Sequence, residues 1–217
     1  GPQFEGHIDR EIDATGKLVA PGFIDTHVHS GHRASHRLIT DTGRGDYFGQ
    51  PFFEISVPKE GTRIAGDVRY LRPDETGMEA ELELHALYTV AELLRNGVTT
   101  FVEYGSQLRI QEALMAQCLA LGVRGYLGPG YDSGRWVGDE HGRLKRIINE
   151  ENGRREFAGA LKWIERHDGA GGGLIKGILV PREVETCSID LLRMTREKAD
   201  EMKLPMATHA AYSIVEF

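Results

Sequence analysis

Gly16–Ser30 reads GKLVAPGFIDTHVHS, and this stretch decides how the rest of the chain is read. Pro21-Gly22 stops whatever precedes it. Phe23 to His29 then runs as a short strand, apolar at its start and ending on two histidines one residue apart. In a strand, residues i and i+2 point to the same face, so His27 and His29 project together and Val28 points away. Neutral imidazole nitrogen is a standard ligand for first-row metal ions. Two imidazoles side by side at a strand end can form half of such a site. A bare His-x-His is a weak signal by itself. The apolar run that delivers the pair to a loop at Ser30-Gly31 strengthens it.

The 217 residues suffice for one large domain or most of one. With 40% hydrophobic and 27% charged residues, the composition is that of an ordinary soluble globular protein. The formal net charge of −7 argues against a nucleic-acid partner, whose binders are usually basic. No apolar run approaches the roughly 18 residues of a membrane helix, and no secretory signal opens the chain. Cys118 and Cys187 make no disulfide framework, so a reduced, cytoplasmic setting is expected. The expected partner is a small-molecule substrate; a homo-oligomer is allowed but not required. The chain opens at Gly1 without methionine and stops at Phe217 just after a fifth strand, so we expect a segment of a longer protein.

Upstream of the opening stretch, Glu11-Ile12-Asp13 and Ala14-Thr15-Gly16 predict a strand edge and a turn. Downstream, residues 31–77 show no sustained periodicity but carry Tyr47, Phe48, Phe52 and Phe53. A loop of such length is functional or disordered; its aromatics and Gln50-Pro51 predict an ordered one, and its start directly after His29 places it over the site. His32 and His36 lie in it without partners at ligand spacing and are read as ordinary loop histidines. From Glu79, Leu82, Leu84, Leu87, Val90, Ala91 and Leu94 recur at helical spacing until Asn96-Gly97. His85 in this helix is read as structural or exposed. VTTFVEY (Val98–Tyr104) is a strand. A helix follows, capped at Ser106 and ended by Gly122, with Leu108, Ile110, Ala113, Leu114, Cys118 and Leu121 on its apolar face. Strand Val123–Leu127, a polar excursion, helix Glu156–Arg166 and a glycine-rich link come next. Strand Leu174–Val180, helix Ser188–Met202 and strand Pro205–Ala210 complete the pattern. The glycines before Leu174 lack a following Gly-Lys-Ser/Thr and form no phosphate loop.

Strands alternating with helices imply parallel pairing through right-handed crossovers. An open doubly wound sheet and an eight-stranded barrel both fit. The glycine fingerprint of a nucleotide-binding sheet is absent after the first strand. A His-x-His at a strand's C-terminal end suits a barrel, whose active site collects there.

IDATGKLVAPGFIDTHVH resembles the entry into the barrel of the amidohydrolase superfamily, closest to its cytosine, guanine and S-adenosylhomocysteine deaminases and triazine (chlorohydrolase-like) hydrolases. The resemblance implies an α/β fold, a (β/α)8 TIM-type barrel of which this chain covers about strands 1–5. Residues 1–20 would end a small β-sandwich, and residues 21–217 would be the N-terminal part of the barrel. It also implies a third ligand, His209, at the end of strand five in LPMATHAAYS. A core histidine hydrogen-bonded to backbone is the plainer alternative there. One divalent ion is expected on His27, His29 and His209: zinc, with iron and manganese as alternatives. In the family a further contact comes from strand six and an aspartate from strand eight, neither in this sequence. The implied chemistry is metal-assisted hydrolysis of a C–N or C–halide bond in a small polar or heterocyclic substrate. A metal-binding or assembly module without catalysis is the rival from another class.

Two positions depart from the family pattern. Three residues after the strand-five histidine, deaminases of this branch carry a proton-shuttling glutamate; here stands Tyr212. A phenol with pKa near 10 is a poor base at pH 7, but it can donate a hydrogen bond to an oxyanion or leaving group. This tilts the reading away from ring deamination, which stays as the alternative. After strand four, a substrate-contacting histidine is replaced by Arg182, which could meet a substrate carboxylate or polarised carbonyl. An ion pair with Glu183 or Glu185 is the equal alternative. Cys187 reads as packing, and Lys176 lies too early in its strand to bridge two metals.

Overall fold

The computed structural model describes residues 6–30, 57, 78–141, 143–211 and 214–216, with the backbone alone at 78–81 and 215. Residues 31–56 and 58–77, where a lid-like loop with His32 and His36 is expected, lie outside the described residues, as does Tyr212.

Four strands form one parallel sheet in the order β1 (Phe23–Val28), β2 (Val98–Glu103), β3 (Arg124–Leu127) and β6 (Ile175–Gly177). Helices α1 (Met78–Arg95), α2 (Leu108–Leu121), α3 (Glu150–His167) and α4 (Ile189–Met202) alternate with them. The fifth predicted strand is not a full ladder. It joins through two parallel bridges, Leu179 with Met206 and Glu183 with His209. This is the α/β class with parallel pairing that the alternation predicts.

The helices bury narrower faces than their apolar residues suggest. In α1 the buried side chains are Leu82, Ala86, Val90 and Leu93, while Leu84, Leu87 and Leu94 are exposed. Spacings of four, four and three keep those four residues on one stripe. In α2 the buried residues are Gln111, Leu114 and Cys118, and Leu108 and Leu121 face out. Burial pushes the Cys118 thiol up to about 12, which suits packing rather than reactivity. Gly122 ends α2 in the left-handed conformation, φ 72°, where a side chain is disfavoured. Ser188 caps α4 as expected, accepting from the Leu191 N–H. Ser106 does not cap α2. Gln107 holds that position without a side-chain bond, and Ser106 turns back to Glu103.

Two predictions are corrected at the connections. The polar excursion between β3 and α3 is an antiparallel hairpin, β4 (Gly134–Gly138) with β5 (Leu144–Ile148), and α3 begins at Glu150 behind the cap Asn149. Residues 11–13 form no strand, although the turn is there: Lys17 N–H donates to Ala14 carbonyl at 2.9 Å, with Gly16 at φ 73°.

The core lies between the sheet and all four helices, around Val90, Phe101, Leu114, Leu127, Ile164, Ile175, Leu179 and Leu191. Each such fully buried side chain contributes roughly 1.5–3 kcal/mol of transfer free energy. The sheet's C-terminal edge is fixed by close backbone packing. A Cβ on Gly130 would meet the Gly105 carbonyl oxygen at 2.2 Å, so the ends of β2 and β3 touch main chain to main chain.

Candidate metal centre

His27 is the penultimate residue of β1 and His29 follows the strand; Val28 between them is buried. The alternation therefore turns both imidazoles to one side, as their spacing predicts. Nε2 of His29 lies 3.1 Å from Nε2 of His27 and 3.1 Å from Nε2 of His209. The three ligand atoms all fall within 4.8 Å of one another. The sequence separation of His209 from His29 is 180 residues, and the fold closes it through the Glu183–His209 bridge.

The tautomer of His209 follows from its partner. Its Nδ1 is 2.7 Å from the carbonyl oxygen of Arg182, which can only accept. Nδ1 therefore carries the proton and Nε2 keeps its lone pair toward the other histidines. A backbone carbonyl holding the far nitrogen of an imidazole is the usual outer support of a metal ligand. Ligands at roughly 2.0–2.1 Å around a tetrahedral zinc ion stand about 3.3 Å apart, close to the spacing found. Lone pairs converging this closely repel one another unless a proton or cation sits among them. The three side chains thus fit a single divalent ion, and their all-nitrogen set suits zinc or another first-row metal better than magnesium or calcium.

Desolvation, and then the facing His209 imidazole, lower the pKa of His27 below the ordinary imidazole value, against the opposing effect of Asp25. That keeps the ring neutral, which is the form that ligates. Tyr104, directly after β2, stacks face to face on His27, with centroids 3.9 Å apart and an interplanar angle of 2°. It also stands edge-on to His209 at 5.1 Å.

Behind β1, Glu103 is fully buried. Its carboxylate accepts from Ser30 Oγ at 2.9 Å, Ser30 N–H at 3.4 Å and Ser106 N–H at 3.1 Å, and also from Ser106 Oγ and Gln111 Nε2.

Arg182 is half-buried, and it meets acids from beyond its own loop. Its guanidinium donates to Asp132 Oδ2 at 2.6 Å and to the Gly105 carbonyl at 3.1 Å, with Glu156 Oε2 at 4.0 Å. Cys187 is buried beside the Tyr131 carbonyl, and desolvation first, then Asp132 and Glu183, push its thiol up to about 12; it packs, as expected. Lys176 is exposed within β6, away from the histidines' end of the sheet. His85 is half-buried in α1. Sequence reading missed Tyr104, Glu103 and Asp132. Only their places at or just after the C-terminal ends of β2 and β3 marked them, and such places are where barrel sites collect.

The model of the amidohydrolase family matches residues 18–216, and the chain belongs to that family, as the GKLVAPGFIDTHVH string implied. Among curated relatives, the 5-methylthioadenosine/S-adenosylhomocysteine deaminase of Pyrococcus horikoshii is 28% identical over 204 residues, covering 94% of this chain and 40% of the relative. The deaminase of the same description from Natronomonas pharaonis is 27% identical over 207 residues, covering 93% and 39%. The chain thus spans about 40% of the length of the curated relatives it matches.

Solved structures share the fold. The zinc complex of atrazine chlorohydrolase from Arthrobacter aurescens superposes with a TM-score of 0.58 at 18% identity, over 87% of this chain and 40% of that one. Guanine deaminase from E. coli gives 0.52 at 17% identity, over 88% and 36%. Among the described residues no helix is long and apolar enough to cross a membrane.

Proposed function

We propose that the full-length protein is a metal-dependent hydrolase acting on a carbon–nitrogen bond of a small heterocyclic compound, with carbon–halide cleavage as the nearest variant. The observation that carries this is the convergence of His27, His29 and His209 Nε2 with the far nitrogen of His209 committed to a carbonyl. In this reading His27, His29 and His209 hold one ion, zinc by choice. When bound, such an ion supplies Lewis acidity that makes water a nucleophile near neutral pH. Tyr104 backs the His27 ring and keeps its plane fixed. Tyr212, three residues beyond His209, donates a hydrogen bond to the leaving group. Ring deamination is the second reading, favoured by the deaminase names of the curated relatives.

We further assign residues 21–217 to the first five strands of the family's (β/α)8 barrel and residues 1–20 to the end of a small β-sandwich. The outer edge of β1 supports this. Among the described residues β1 is laddered to β2 alone. Phe23 and Ile24 on it are each 67% exposed, as are Leu18 at 92% and Val19 at 78%. Apolar surface at an open strand edge calls for a covering partner. The substrate is a small molecule in a cytoplasmic setting.

Arg182 contacts substrate in this reading, and its surroundings refine what it meets. Asp132 already neutralises the guanidinium, so it suits a carbonyl or ring nitrogen better than a carboxylate. Arg182→Met is expected to raise KM about tenfold or more with kcat within about threefold, the signature of lost uniform binding. Steady-state kinetics on the active substrate measure this; an unchanged KM would remove Arg182 from the binding site.

The class itself is tested by incubating the full-length protein with purines, pyrimidines and triazines and following both ammonia and halide release. Release of either from any of them, abolished by chelation and restored by zinc, is expected. Ammonia from an aminopurine would establish deamination over the Tyr212 argument. No release from any ring, with metal bound, would favour a non-catalytic metal-binding module.

A further inference from the structure

We propose that Glu103 is the positioning residue of this centre: its buried carboxylate grips Ser30 from behind β1 and so sets the aim of the His-x-His pair. The proposal rests on the metal reading above.

Glu103 ends β2 and stands in register with Val28, the residue between the two histidines. Val28 and Ser30 share the face of β1 opposite the imidazoles. Glu103 therefore acts on the back of the strand and is no ligand itself. It takes both donors of Ser30, the hydroxyl at 2.9 Å and the N–H at 3.4 Å, and Ser30 is only 1% exposed. The same carboxylate accepts from the backbone and hydroxyl of Ser106 and from Gln111 on α2. One side chain thus ties the end of β1 to the β2–α2 connection and to a helix.

The next residue completes the hold. Tyr104 N–H donates to the Val28 carbonyl at 2.9 Å, and its ring lies on His27. Glu103 and the residue after it thereby bracket the histidine pair from its two faces.

The chemistry of the carboxylate argues that this is more than packing. Among the described residues its hydrogen-bond partners are all neutral: two serines and a glutamine. A buried carboxylate without a cationic partner is costly, and an apolar residue of similar size would stabilise the same place more cheaply. What a carboxylate adds is direction, since it can collect several donors from different elements at once. Outer supports of this kind typically change metal affinity by about 10–100-fold when removed.

The test uses the full-length protein and cobalt(II), whose visible bands report coordination geometry. Cobalt affinity is measured by competition with a chelator for the unaltered protein, Ser30→Ala, Glu103→Gln and the double variant. Ser30→Ala is expected to weaken binding about tenfold or more and to shift the visible bands, with circular dichroism showing the fold kept. Glu103→Gln should weaken binding at least as much, and the double variant should be no worse than Glu103→Gln alone. Should Glu103→Gln fail to fold, Ser30→Ala decides. Binding by Ser30→Ala within twofold of the unaltered protein, with the same bands, overturns the proposal and leaves the metal reading intact. Failure of the unaltered protein to bind cobalt, with His27→Ala indistinguishable from it, overturns both.

Discussion

His209→Ala is expected to leave the full-length protein folded but without bound metal, with kcat/KM lowered about a thousandfold or more. The side chain is half-buried and sits at a two-bridge junction, so its loss costs the fold little. On the proposed reading, what it removes is the imidazole that closes the set. His27 and His29 alone stand 3.1 Å apart on one strand, and two imidazoles do not make a closed site. Lewis-acid activation lowers the barrier by several kcal/mol, and each 1.36 kcal/mol is tenfold in rate. Circular dichroism should show an unchanged fold, and metal analysis should show loss of the ion. Activity within tenfold of the unaltered protein would remove His209 from the ligand set.

The second large effect is on stability and reaches the site through the backbone. Gly130→Ala places a Cβ 2.2 Å from the Gly105 carbonyl oxygen and 2.6 Å from its Cα. Neither is a flexible side chain that could swing aside. The ends of β2 and β3 must separate, at a cost of about 3 kcal/mol. Gly105 follows Tyr104 and its carbonyl accepts from Arg182 at 3.1 Å, so the same movement disturbs the stack on His27 and the strand that holds His209. Urea unfolding should show a lower midpoint at an unchanged slope, accompanied by weaker metal binding. A midpoint unchanged within error would mean that the two loops are not in backbone contact.

The parallel strands were legible as short apolar runs between helices of clear period, VTTFVEY being the most β-branched of them. The hairpin Gly134–Ile148 was not. Its strands carry Arg135, Lys145 and Arg146 among Val137, Leu144 and Ile147, so they show no period-two apolar pattern to read. That His27 and His29 face the same side was legible from their spacing, since a strand has period two. His209 needed the family string, because 180 residues separate it from its neighbour. Glu103 and Tyr104 were read only as strand residues. The partners that give them meaning are tertiary: Ser30 lies 73 residues away from Glu103, and the His27 ring meets Tyr104 only once β1 and β2 pair. Arg182 was seen as a departure from the family, but its local acids Glu183 and Glu185 drew attention from Asp132, which the β3 loop brings in.

Whether His27, His29 and His209 hold one ion is tested by the metal content of purified full-length protein before and after His27→Ala. About one zinc-like ion per chain is expected in the unaltered protein and essentially none in the variant, with activity lost in step. Metal content and activity unchanged by His27→Ala would contradict that assignment.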